Sequence, residues 1–358
     1  MKLWSLTTSS PRGLARRAER AERAGWAGLG VTDSQNLAGD AWVALALIAG
    51  ATEHLEFGTS VTNPITRHPA VTAAAAHALS VESGGRVTVG LGRGDSALAH
   101  LGRAPASVAH TERYVQVLRR YLRGEPVAFE DLGFSESTAP DVATLGLADT
   151  PAASRLVWRA DGDPQVSVEV ASTGPKMIAA AARSADRIVF ALGADPDRLR
   201  WGIETARKAR VDAGLDPDAF EYATYLNVMC HPDVEKARAL VAGGLTTFAR
   251  FSVMHGAVQG PADEKMRGVM EKLHSVYDMK QHTRADSDQT SALTPEFIDR
   301  YAIVGSADTC VARLEEIAGL GIDKAILIGA TGGVDVVEVR KADDHLVGGV
   351  LPAFASST

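Results

Sequence analysis

Cysteine is nearly absent. Cys230 and Cys310 are the only two in 358 residues, and they lie far apart with no metal-ligand spacing. That excludes a cysteine-built metal cluster and predicts two buried thiols. Positive charge is also in deficit. A net charge of −7 leaves no basic footprint for a nucleic-acid partner, and a mild acidic balance speaks only to solubility. No apolar run is long enough to span a bilayer. The opening Met1–Gly13 stretch lacks the apolar core of a signal peptide. The expectation is a cytoplasmic protein with no membrane partner. No Ser-His-Asp triad, HExxH pair or cluster of metal ligands stands out, so no metal is expected. No tandem repeat is visible.

What is present is an alternation of short β-branched runs with Ala-rich helical runs, the pattern of βα units on a parallel sheet. Hydrophobic residues make up 46% of the chain, enough for a large core. The sequence predicts strands at Lys2–Thr7, Gly28–Val31, Leu55–Val61, Val87–Leu91, Ser167–Ala171, Arg187–Ala191, Tyr222–Cys230 and Lys324–Ile328. Eight strands close a barrel, and the fold class is α/β, a (β/α)8 TIM barrel forming one domain over 1–358. Helix ends are readable. Gly25 ends a helix over Leu14–Ala24, and Asp40 caps one that runs through Ala51. Pro69 sits in the first turn of Ala70–Ser83, which Gly84-Gly85 ends. Asp195-Pro196 starts another, and Asp308 is expected to cap the last, up to Gly319. Two insertions interrupt the rhythm, after strands 4 and 7. Residues 124–164 are expected to end in a hairpin, Arg155–Arg159 against Gln165–Ala171, turning at Asp161–Pro164. Residues 241–300 read as a mixed, helical insertion of the kind that covers an active face.

In a barrel of this class, ligand groups sit where strands end. The third strand stops in Ser60-Val61-Thr62-Asn63-Pro64-Ile65-Thr66-Arg67-His68-Pro69. Small residues there let a flat ligand approach the backbone, and the polar ones can bond it. The second strand ends in Thr32-Asp33-Ser34-Gln35-Asn36; Asp33 is a proton-transfer candidate or a turn carboxylate. The fourth closes in Gly90-Leu91-Gly92-Arg93-Gly94-Asp95-Ser96, glycines for close approach or for a tight turn, without the Rossmann spacing. The fifth opens a helix with Ser172-Thr173-Gly174-Pro175-Lys176. Hydroxyls, a glycine and free amides at a helix start form an anion pocket, unless Ser172 or Thr173 simply caps the helix. His68 either moves protons, since histidine ionises near neutrality, or orients its loop, and Arg67 reads as pairing with an acid. His255 lies where it can line the mouth. Tyr225, Asn227, His231 and Trp4 read as packing or turn chemistry.

These motifs together resemble the bacterial-luciferase-like barrel enzymes, nearest to the F420-dependent methylenetetrahydromethanopterin reductase group. The resemblance runs through Ala21-Glu22-Arg23-Ala24-Gly25-Trp26 and Thr32-Asp33, then Ser83-Gly84-Gly85-Arg86-Val87. It continues in Thr173-Gly174-Pro175-Lys176, Ala185-Asp186 and Ile303–Asp308. Met254-His255-Gly256 resembles an Arg-His-Gly element of those reductases. The resemblance implies a cofactor, F420 or alternatively FMN. It implies a binding surface of Asp33, Ser60, Val61, Thr62, Asn63, Gly92, Arg93, Gly94, Asp95, Ser172, Thr173, Gly174, Pro175 and Lys176. Ser172–Lys176 would hold its phosphate. Gly92–Asp95 would cradle its middle, and Ser60-Val61, where relatives carry a non-prolyl cis peptide, would back its ring. Many relatives place an acid-His pair at Asp33-Ser34; here Ser stands in the His position, leaving Asp33 and Ser34 as the catalytic candidates. Three functions follow. One is hydride transfer between deazaflavin C5 and a small, possibly pterin-like substrate. Another is an FMN-dependent monooxygenase with a partner reductase, and the last is a non-catalytic flavin-binding protein. The resemblance also implies a homodimer.

Overall fold

The computed structural model describes residues 1–10 and 12–355. Its sheet has strands β1 (Lys2–Thr8), β2 (Gly28–Thr32), β3 (Glu56–Thr62), β4 (Val87–Leu91), β5 (Ser167–Ser172), β6 (Arg187–Phe190), β7 (Glu221–Cys230), β8 (Ile303–Gly305) and β9 (Lys324–Ile328). Each pairs in parallel with its neighbours in the order β1 through β7, then β9 and back to β1. The closed parallel barrel expected from the strand count is therefore present. Helices α1 (Leu14–Arg23), α2 (Ala41–Ala51), α3 (Pro69–Ser83), α4 (Ser96–Ala99), α5 (Val108–Leu122), α6 (Pro175–Ser184) and α7 (Pro196–Asp212) follow β1 to β6. Beyond β7 come α8 (Val234–Phe251), α9 (Glu264–Val276), α10 (Pro295–Tyr301) and α11 (Ala307–Ala318), and after β9 come α12 (Val336–His345) and α13 (Leu351–Phe354).

The ninth strand was not expected. β8 pairs with Val228–Cys230 at the far end of β7, beyond where β9 pairs with that strand. It extends the ladder to Gly305, so the helix start shifts back: Ser306 caps α11 by accepting from Thr309 N, and Asp308 lies in the first turn rather than capping. The expected hairpin does not form. In the closed barrel β5 already pairs with β4 and β6, leaving no edge for Arg155–Arg159. One antiparallel bridge, Val127 to Ser154, is what remains. Trp158 instead packs on His77, and Asp163 bonds His77 Nε2 at 3.0 Å. Asp40, Pro69 and Asp195 stand where expected: two carboxylates accept first-turn amides, and the proline opens α3. Both cysteines are buried and unbridged.

Along each barrel strand alternate residues face the helices or the interior. Leu29, Val31, Phe57, Val89, Val168, Val170, Ile188 and Leu226 join the main core under the helices. Trp4, Val189, Tyr225, Ile326 and Ile328 fill the interior. Trp4 reaches across to β2, where a Cβ on Gly28 would stand 2.4 Å from its ring. At the N-terminal end of the barrel Lys324 Nζ bonds both oxygens of Glu169, at 2.9 and 3.0 Å, and lies 3.4 Å from the Trp4 ring centroid. Arg187 joins Glu169, Glu221 and Asp323. Burial draws the Lys324 ammonium below its usual range, against the pull of Glu169. Among the described residues no helix is long and apolar enough to cross a membrane.

Candidate cofactor and substrate site

At the C-terminal end, β3 bulges. Its register against β4 shifts between Thr59 and Thr62, and the Ser60–Val61 peptide is cis. Neighbouring strands yield to the bulge with glycine. A Cβ on Gly30 would stand 2.7 Å from Ser60 Cβ, on Gly90 2.1 Å from Thr59 O, and on Gly92 2.6 Å from Val61 Cγ2. None of these approaches admits a side chain. Ser60 Oγ lies 2.7 Å from the hydroxyl of Tyr225, which comes across the barrel from β7. Tyr225 reads from sequence as packing; the closed barrel makes it the support of the bulge.

The adjoining strand ends carry the polar groups. Asp33 is 9% exposed and accepts from Thr62 Oγ1 at 2.7 Å. Burial pushes its carboxyl up, opposed by that bond and by Arg67. Ser34 Oγ lies 3.2 Å from Ser96 Oγ, so Ser34 ties the β2 loop to the β4 loop. Asn63 Oδ1 accepts from the amides of Ile65 and Thr66, both at 3.0 Å. Its Nδ2 is buried with no partner among the described residues. Arg67 pairs with Asp40 at 2.6 Å, and His68 caps α3 through Nδ1 while stacking on Phe134. Both therefore serve the loop.

In the β4 loop, Gly94 takes φ +81°, a left-handed conformation that favours glycine. Arg93 donates to Ala106 O and reaches toward His255, 3.5 Å away at the rim. Asp95 is ion-paired with Arg250 of α8. The Arg250 guanidinium lies 4.4 Å from the Tyr277 ring centroid, and Tyr277 OH is 2.7 Å from His282 Nδ1. In the β5 loop Ser172 donates to Val170 O and Met177 O, and Thr173 to Ala191 O. Neither caps α6: Gly174 holds the N-cap position without a side-chain bond, Pro175 has no N–H, and Met177 N bonds Gly174 O, so the Lys176 amide is the first-turn N–H left for a ligand. A Cβ at Gly174 would meet only Gln259, at 3.8 Å. Lys176 is exposed beside it.

The opposite wall of the mouth is apolar. Phe248 and Phe251 of α8 are half-buried against the interior cluster, with Leu6, Val61 and Ala171. Phe248 lies 5.5 Å from Tyr225 and 5.3 Å from Phe251. Sequence reading missed these two rings and Arg250, because they lie in a segment whose period announces only a helix. The inward Asn227 of β7 is 2% exposed. His231, by contrast, bonds Glu338 at 3.0 Å and is structural. A cleft of about 500 Å³ opens at the other end of the barrel, beside Lys2, Glu221 and Asp323, away from all these groups. Among the described residues no three His, Cys, Asp or Glu side chains group as a metal site.

A closed barrel with a bulged third strand, glycines around the bulge and a bare helix end at β5 defines a class, and the comparisons agree with it. Residues 2–324 match the luciferase-like monooxygenase family, and the chain belongs to that family. It is 24% identical over 332 residues to the 5,10-methylenetetrahydromethanopterin reductase of Methanolobus tindarius, covering 87% of this chain and 89% of that protein. Among solved structures, the coenzyme F420-dependent tetrahydromethanopterin reductase from Methanopyrus kandleri superposes with a TM-score of 0.72 at 20% identity, covering 99% of each chain. An F420-dependent secondary alcohol dehydrogenase in complex with an F420–acetone adduct gives 0.69 at 21% identity, covering 98% of each. At such identities the solved structures speak to the fold alone.

Proposed function

We propose that this chain is an F420-dependent oxidoreductase that moves a hydride between a small organic substrate and its cofactor. The observation that carries the reading is the bulge of β3, which Gly30, Gly90 and Gly92 accommodate, together with the uncapped start of α6 at Gly174. A flat ring needs close backbone approach, and a phosphate needs free amides at a helix start. The residues present fit such a group. Ser60 and Val61 would back its ring, Gly92, Arg93, Gly94 and Asp95 would line its middle, and Thr173, Gly174 and Lys176 would hold its phosphate. The buried Nδ2 of Asn63 is a donor ready for a ring oxygen or nitrogen. F420, when bound, supplies a hydride donor or acceptor at C5. This chain supplies orientation, exclusion of water under α8, and a proton site at the Asp33 carboxyl, whose raised affinity for a proton suits exchange with the substrate.

The first experiment is titration of the purified chain with F420 and FMN side by side. F420 binding at micromolar concentration or tighter, with weaker FMN binding, is the expected result. Preference for FMN, or binding of neither, defeats the proposal.

A homodimer is part of the same reading. The outer face of α2 presents Val43, Ala46, Leu47 and Gly50, and that of α3 presents Val71, Ala78 and Val81, all exposed. Val43 is 58% and Val71 50% exposed, and the two helices are neighbours. An apolar surface spanning two helices favours burial against a second copy. Light scattering should give twice the chain mass, and Leu47→Lys should lower it; a monomer at micromolar concentration contradicts the dimer.

A further inference from the structure

The cofactor-side groups all come from β2 to β5, while the α8 side of the mouth has a chemistry of its own. Gly244, Phe248 and Phe251 recur at helical spacing and share one face of α8. That face lies over β7. A Cβ on Gly244 would stand 2.9 Å from Asn227 Nδ2 and 3.3 Å from Ile328 Cγ2. Glycine at 244 therefore lets α8 come down onto Asn227, and the next turns bring both phenyl rings to the mouth beside Tyr225. Asn227 Nδ2 is buried and has no partner among the described residues. Two charges near this wall are engaged elsewhere: Arg250 holds Asp95, and Lys324 holds Glu169 deep in the barrel. Arg93 and His255 stand at the outer rim.

We propose that this wall is the substrate subsite and that it takes a neutral, flat compound bearing a carbonyl or hydroxyl oxygen. Phe248 and Phe251 grip the flat body, and the Asn227 amide donates to the oxygen. Aromatic walls favour planar apolar groups through burial and ring stacking. An anion seated between the two phenyl rings would lose its hydration with no cation among the residues of this wall except Arg250, which Asp95 already holds, a cost that selects against carboxylates. An oxygen that meets the Asn227 amide relieves a buried donor, which selects for a carbonyl over a hydrocarbon of the same shape. The inference rests on the proposed F420 reading, because it takes β2 to β5 as the cofactor side.

The test is calorimetric titration of the full chain, with and without saturating F420, using three shape-matched probes: 2-acetylnaphthalene, 2-naphthoate and 2-ethylnaphthalene. The ketone should bind at least about tenfold more tightly than the carboxylate, and measurably more tightly than the hydrocarbon. Phe248→Ala should weaken all neutral binding about tenfold. Asn227→Ala should erase the ketone's advantage over the hydrocarbon and leave hydrocarbon binding unchanged. Thermal melting and F420 titration of each variant check the fold, and Phe248→Leu replaces Phe248→Ala if the latter does not fold. Equal or tighter binding of naphthoate overturns the proposal, as does ketone binding that ignores both substitutions or is absent in both states. Failure of F420 to bind while the ketone still discriminates would overturn the cofactor reading and leave this wall in place.

Discussion

At the N-terminal end of the barrel, Lys324 and Glu169 are each 2% exposed and satisfy one another with two hydrogen bonds. At the C-terminal end, Asn63 and Asn227 are as deeply buried, and each keeps an amide nitrogen without a partner. Both ends hide polar groups from water, so burial alone does not separate scaffold from site. The Lys324–Glu169 pair completes its own bonds and the two asparagine amides do not, although Trp4 Nε1 and Arg187 Nε at the closed end also lack partners among the described residues. A buried polar atom left unpaired costs free energy, and a ligand that meets it recovers that cost. The glycines make room at both ends: Gly28 gives way to Trp4, Gly92 to Val61 of the bulge, and Gly94 to Leu98 and Asn63.

The largest effect is expected at the closed end. Lys324→Met would strand the Glu169 carboxylate with only Arg187 beside it, and should cost about 3–5 kcal/mol in denaturant unfolding. A loss under about 1 kcal/mol would mean that the buried pair contributes little to holding the closed end. At the open end, Gly174→Asp should leave the fold intact or slightly steadier, since Asp is a good N-cap and the added Cβ meets nothing closer than 3.8 Å. F420 affinity should fall about a hundredfold or more, because a carboxylate would face the phosphate, while neutral Gly174→Asn should fall far less. Equal losses in the two variants would move the phosphate elsewhere.

Tyr225→Phe probes the seam between the ends. It leaves Ser60 Oγ unpaired under the bulge and should cost about 1–2 kcal/mol of stability, with a parallel loss of F420 affinity. An unchanged affinity would show that the bulge needs no support from β7. The smallest effect is on pH dependence. The folded-state pKa of Asp33 is raised above its ordinary 3.8, so between the two values the folded chain holds a proton that the unfolded chain has lost. Stability from this group therefore falls as pH rises through that window. Asp33→Asn should be at least as stable as the parent at pH 7, with the difference closing below about pH 3.8, yet should lose turnover. A variant clearly less stable at pH 7 would make Asp33 a structural carboxylate.

Much of this molecule is legible along the chain. The β-branched runs mark all eight barrel strands, and Asp40, Pro69, Gly84 and Asp195 mark helix ends, because backbone preference and capping act within a few residues. The strand-end motifs at Asp33, Asn63, Gly92 and Gly174 are also local, and barrel topology alone brings them to one face. Three things lay beyond local reading. The hairpin at 155–159 is locally plausible but fails because β5 has no free edge once the barrel closes. Lys324 begins a strand like any surface lysine, and its burial is set by Glu169, 155 residues away. Phe248, Phe251 and Arg250 look like helix residues until α8 settles on Gly244 over β7.

Short segments of sequence were enough for the eight barrel strands and the caps at Asp40 and Asp195, and hence for the closed barrel, since propensity and period are local properties; β8 and the Ser306 cap of α11 were not read that way. The tertiary structure alone decided which buried polar groups are satisfied, which glycines make room for a neighbour, and that an apolar wall from α8 faces the polar strand ends. Those outcomes depend on partners far apart in the chain, and packing brings them within hydrogen-bonding distance only after the barrel has closed.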